Sequence, residues 1–168
     1  MNLANDETAV QGASAVLIYG VPEAPLAQPR AVIGGHFISA LVGLIILTIF
    51  KAGGRANDSN DGIESNLSWL AASLATSIAI VCMMASKTTH PPAGATALIP
   101  IIDPKIFKLG WYFLPVVLLS STLMVVVGLL TNNIQMRYPA FWWEPAKPPQ
   151  QARDKSEKLP TTPPKESV

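Results

Sequence analysis

Three apolar runs decide what this chain can become. Residues 31–50, AVIGGHFISALVGLIILTIF, contain no Asp, Glu, Lys or Arg. A helix of that length covers roughly 30 Å, the thickness of a bilayer's hydrocarbon core. Residues 68–86, SWLAASLATSIAIVCMMAS, and 111–131, WYFLPVVLLSSTLMVVVGLLT, repeat the pattern. A soluble protein can bury one such run. Three of them in 168 residues leave little room for a soluble core. The expected fold is all-α, a polytopic transmembrane helical bundle, and the expected setting is a lipid bilayer. Trp111 and Tyr112 open the third run, where aromatic rings suit the headgroup zone.

Two shorter apolar pieces remain, GASAVLIYGV at 12–21 and PPAGATALIPII at 91–102. Neither is long enough to cross alone as a helix. They are expected as short re-entrant or broken helices, about 12–21 and 92–102, packed against the spans so that no bare backbone meets lipid. The layout is then a polar segment at 1–11, a membrane domain at 12–145 and a tail at 146–168. The tail is rich in Pro, Lys, Glu and Thr, which predicts disorder. Residues 51–67, rich in Gly, Asn and Asp, read as a polar surface connection. The opening MNLANDETAV lacks a basic signal region, so targeting rests with the spans.

Three crossings would put the 51–67 connection and the C-terminal tail on one side. Lys51, Arg55, Arg137 and Lys147 on that side balance Arg30, Lys87, Lys105 and Lys108 on the other. The further Lys and Arg of the tail tip the C-terminus toward the cytosol. Tyr138, Phe141, Trp142 and Trp143 follow the third span and read as an interfacial anchor.

Gly35, Ser39 and Gly43 recur every four residues in the first span, and Ala71, Ala75 and Ala79 do so in the second. Small residues at that spacing let membrane helices approach closely. The stripes serve a compact bundle or a homo-oligomer equally well, and spacing does not decide between them.

Two places could carry chemistry. Pro29 suits the first position of a helix, and Arg30 then falls in its first turn. A cation there conflicts with the positive end of the helix dipole, and a bound anion would resolve the conflict. The plainer alternative is an arginine reaching out to lipid phosphates. In HPPAGAT, residues 90–96, the prolines stop one helix and start another. Ala93, Gly94 and Thr96 would then offer unshielded amides and a hydroxyl to an anion. His90 at the lip would hydrogen-bond the anion or carry a proton. The competing reading is a simple turn between helices. His36 lies inside the first span, where an ionisable group is either functional or bonded to a neighbouring helix.

Other functions find little support. Two histidines and the single Cys82 do not make a metal cluster. The formal charge is +1 with no basic stripe, which speaks against a nucleic-acid partner. No span holds an acid, which disfavours a carboxylate-driven proton pump. No cofactor or ATP-binding motif is present. Ser86 near His90 is the nearest approach to a nucleophile–base pair, so no enzyme is expected.

Several motifs together resemble the HPP family of integral membrane proteins. HPPAGATAL at 90–98 is similar to the signature that names it. PLAQPR at 25–30, with GG at 34–35, resembles the second motif, and GASAV at 12–16 its lead-in. NNIQMRYPAFWWEP at 132–145 resembles the ending of fungal members. The family is usually drawn with four membrane segments, one of them ahead of GASAV, where this chain has eleven mostly polar residues. Plant and cyanobacterial members are nitrite transporters. The resemblance therefore implies movement of a small inorganic anion, with Arg30, His36, His90, Ala93, Gly94 and Thr96 as candidate binding residues. The alternative is a membrane scaffold or assembly subunit that moves nothing.

Overall fold

The computed structural model describes residues 3–54, 56–57, 62–63, 65–134 and 137–143. The 146–168 tail, Arg55 and Lys147 lie outside them. Among the described residues seven α-helices follow in order: α1 Leu3–Gly20, α2 Pro29–Ala52, α3 Ser65–Ala85, α4 Pro91–Thr96, α5 Ile99–Ile102, α6 Pro104–Leu109 and α7 Phe113–Asn132. The remaining pairing is a two-residue antiparallel contact, Ala56 with Ile63 and Asn57 with Gly62.

Proline sets many of these boundaries. Pro29, Pro91 and Pro104 each stand at a helix start, where the missing N–H leaves no gap. Asp103 caps α6 by accepting from the Lys105 amide at 2.8 Å. Pro100 divides α4 from α5, because it offers no N–H to the Thr96 carbonyl one turn back. At the end of α3, Lys87 takes a left-handed φ of 56° and the Thr88 amide reaches back to the Met83 carbonyl at 2.9 Å. That is the closure usually given to glycine.

α2 is the central helix. Of its most apolar stretch 56% is buried inside the chain, against 22% for α3 and 28% for the last span. It packs on α3, α4, α5 and α7. The outer faces of α3 and α7 present Leu74, Ile78, Val81, Leu119, Leu123 and Val126 outward. In a bilayer those faces meet lipid. The small-residue stripes lie inside the chain: Ala71, Ala75 and Ala79 are wholly buried, as is Ser39. A side chain at Gly35 would press on His90, and one at Gly43 on the Ala97 carbonyl.

The sidedness expected from three crossings is corrected. Arg30, at the start of α2, donates to the carbonyls of Ser86 and Trp143, which puts the C-terminal segment beside the end of α3. Lys51, at the other end of α2, sits 4.0 Å over the Phe107 ring. Residues 91–102 therefore run from one end of the bundle to the other, and α7 brings the chain back. Two short helices placed end to end make the additional traverse that a count of long apolar runs omits. Residues 137–143 thus lie at the opposite end from the 51–67 connection.

The aromatic cluster also divides. Trp142 and Trp143 are exposed, but Tyr138 is buried and its hydroxyl donates to the Ala27 carbonyl at 2.8 Å. Burial, and then the neighbouring Tyr19, push that hydroxyl up to about 12. Its folded pKa exceeds the ordinary value, so its contribution is complete below pH of about 10 and fades as pH rises toward 12.

Candidate functional site

The two histidines meet in the core. His36 projects from the second turn of α2 and His90 precedes α4. Both are wholly buried, with ring centroids 5.2 Å apart and planes at 60°. Ser14 of α1 stands between them. Its Oγ lies 3.1 Å from His36 Nε2 and 2.9 Å from His90 Nε2. His36 Nδ1 is 2.9 Å from Thr96 Oγ1, and His90 Nδ1 is 2.8 Å from the Leu26 carbonyl. Five segments of chain are tied by these four bonds.

The hydrogens can be assigned from the acceptors. The Leu26 carbonyl can only accept, so His90 carries its hydrogen on Nδ1. With His90 neutral, its Nε2 accepts, and the Ser14 hydroxyl donates to it. Ser14 Oγ then accepts from His36 Nε2–H. His36 Nδ1 is left to accept from the Thr96 hydroxyl. One polarity runs from Thr96 through His36 and Ser14 to His90 and Leu26, with each ring nitrogen satisfied.

The structure brings His36, His90 and Thr96 together. Ala93 and Gly94 are buried beside them, but the unshielded amides expected at the start of α4 are corrected. Pro91 and Pro92 have no N–H, and the Ala93 amide donates to the His90 carbonyl at 3.0 Å. Ser86 is not paired with His90. Its hydroxyl contacts the Cys82 and Met83 carbonyls and Thr88 Oγ1.

Arg30 forms a separate station at the start of α2. One N–H goes to the Trp143 carbonyl at 3.0 Å and one to the Ser86 carbonyl at 3.1 Å, and the guanidinium lies 5.3 Å from the Trp143 ring centroid. Among the described residues no carboxylate pairs with it. Beside it opens a cleft of about 490 Å³ walled by Pro29, Ile33, Gly34, Thr88, Trp142 and Trp143.

Two residues escaped the sequence reading. Ser14 is a small polar residue in an apolar stretch and gives no local signal of partners 22 and 76 positions away. Gln28, inside PLAQPR, is the other. Its amide nitrogen donates to the Pro22 and Ala24 carbonyls, and its oxygen accepts from the Ala140 and Phe141 amides. It fastens the C-terminal segment to the entry of α2. Gln28→Glu keeps the shape but turns an acceptor toward two carbonyls. Loss of about 2 kcal/mol of stability is expected, measured by denaturant unfolding in detergent, with Gln28→Ala as the comparison.

An apolar bundle with a buried polar chain at its centre defines a polytopic helical membrane protein. Residues 8–139 match the family model for the HPP transmembrane region. The chain belongs to the HPP family of integral membrane proteins. Two transmembrane proteins of Dictyostelium discoideum are similar, at 41% and 42% identity over 134 residues. The alignments cover 78% of this chain and 43% and 40% of those relatives. The chain thus spans about two fifths of their length. No solved structure matches it.

Proposed function

We propose that this chain is a transporter, or the membrane unit of one, for a small monovalent anion such as nitrite. The observation that carries the reading is Arg30. It is a guanidinium at the head of the central helix, held by two carbonyls, beside a largely apolar cleft, with no carboxylate partner among the described residues. Two of its five N–H groups are engaged by those carbonyls, which leaves donors for an anion. Apolar walls weaken the competing hydration and strengthen the attraction. The helix start behind it adds partial positive charge of the same sign.

A scaffold would account equally well for the polar tail and the small-residue stripes. Both stripes are occupied within the chain, so they do not favour it.

Nitrite uptake into proteoliposomes tests the proposal. The 168-residue chain should take up nitrite above empty vesicles. Arg30→Ala should lower the rate at least tenfold, with Arg30→Lys intermediate because it keeps the charge and loses the fork. Equal uptake by all three proteins would remove Arg30 from the path.

A further inference from the structure

The hydrogen bonds around Ser14 have two complete solutions, and they differ by one proton. In the neutral arrangement the hydroxyl donates to His90 Nε2. The Val10 carbonyl, one turn back on α1, lies 3.1 Å from the same oxygen and is a second acceptor within reach. When the hydroxyl turns to Val10, Ser14 Oγ is free to accept from both Nε2 atoms. His90 then bears hydrogens on both nitrogens, with Nδ1–H still on Leu26. A serine oxygen has two lone pairs, and this arrangement fills both.

A second proton has no equivalent place. His36 Nδ1 already accepts from Thr96. Two imidazoliums would lie 5.2 Å apart in apolar surroundings, where like charges repel strongly. Residues 9–20 of α1 contribute Tyr19 to the surroundings, α2 contributes Arg30 and Lys51, and α3 contributes Cys82. α4, α5 and α7 contribute no charged or titratable residue, and Tyr138 follows α7. None of these takes a ring nitrogen of the pair, since all four are engaged by Ser14, Thr96 and Leu26.

We infer that the Ser14-bridged histidine pair binds a single proton and couples it to the anion, so that each monovalent anion moves with one proton and no net charge. The coupling rests on the transport reading above; the one-proton site does not. Uptake places the proton on His90 Nε2 as the Ser14 hydroxyl swings to Val10, and release reverses both movements. Ser14 is a positioning residue. It gives the extra N–H an acceptor in a core that would otherwise leave it unpaired.

Two measurements separate the inference from the reading beneath it. In the chain labelled with ¹⁵N-histidine in nanodiscs, nitrogen shifts distinguish the tautomers and imidazolium. His36 should carry its hydrogen on Nε2 and His90 on Nδ1, and falling pH should add one proton with both rings responding together. Ser14→Cys fills the serine's space with a poor hydrogen-bonding group, and Ser14→Ala removes the group. Both should uncouple the two rings. Uptake of two protons, of none before unfolding, or unchanged spectra in both variants would overturn the site.

In proteoliposomes with an entrapped pH dye, one proton should enter per nitrite, at a rate that an imposed potassium diffusion potential does not alter. Ser14→Cys should lower the proton-to-nitrite ratio by at least fivefold. Nitrite uptake that carries current overturns the coupling. Absence of nitrite uptake by the unaltered chain counts against the transport reading, while the histidine spectra still decide the proton site.

Discussion

Replacing His90 with alanine is expected to lower the stability of the folded chain by about 3–8 kcal/mol. His90 is wholly buried and joins the loop after α3 to α1 and to the Leu26 carbonyl. Two losses add. The missing ring leaves a cavity between Ser14, His36 and the Leu26 carbonyl, and large-to-small changes in a core cost about 2–5 kcal/mol. The Leu26 carbonyl also loses its donor in a dry site, at about 1–3 kcal/mol. Ser14 is spared, because its hydroxyl can turn to Val10. His90→Asn places an amide N–H near the position of Nδ1 and should recover part of the loss. Denaturant unfolding in a mild detergent reads both variants. A loss below about 1 kcal/mol for the alanine variant would mean that the imidazole does not tie these segments together.

The large features of this fold were legible because a bilayer admits few solutions. A run such as 31–50, with no charge and the length of the hydrocarbon core, is a spanning helix for want of an alternative. The breaks at Pro29 and Pro91 were legible for a local reason, the fixed φ and absent N–H of proline. Sidedness was not, because an apolar stretch as short as 91–102 does not cross as one ordinary helix. Its contribution depends on α4 and α5 continuing one another past Pro100 while held against α2, which is a tertiary fact. The expectation of bare amides at HPPAGAT failed on chemistry already visible in the sequence. The prolines restart the helix so tightly that the Ala93 amide, the first of the donors expected to be bare, closes on the His90 carbonyl.

The site was half legible. His36 stood out because an ionisable group inside a span is costly, and His90 because it stands at the lip of a proline-broken helix start. Nothing local paired them, since they are 54 positions apart and meet only because α4 runs beside α2. Ser14 and Gln28 could have been found by asking what satisfies a polar side chain in an otherwise apolar setting. Gln28 lies between Pro25 and Pro29, where donors are scarce and carbonyls are left over. Its two-donor, two-acceptor amide suits such a place. The quoted motifs hold the site between them: GASAV supplies Ser14, PLAQPR supplies Gln28 and Arg30, and HPPAGATAL supplies His90 and Thr96.

Adding one methyl group should act with opposite sign at two glycines. At Gly43 a Cβ would stand 2.5 Å from the Ala97 carbonyl oxygen, 3.2 Å from its carbon and 3.0 Å from Pro100 Cγ. Backbone and a proline ring cannot rotate aside, so α2 must move off the junction of α4 and α5. Gly43→Ala is expected to cost about 1–3 kcal/mol, and Gly43→Val more, as overpacking does in a close-fitting core. Gly12 lies within α1 with nothing inside 4 Å of its Cβ position. There alanine removes only the backbone freedom of glycine, and Gly12→Ala should gain up to about 1 kcal/mol. Unfolding in detergent gives the two values. Equal effects at the two positions would mean that close approach at Gly43 does not hold the bundle. The Gly43 contact also bears on the site. Ala97 follows Thr96 directly, so a displaced junction carries the Thr96 hydroxyl away from His36 Nδ1. Gly43→Ala should therefore disturb the His36 nitrogen signals as well as stability, whereas Gly12→Ala should leave them unchanged.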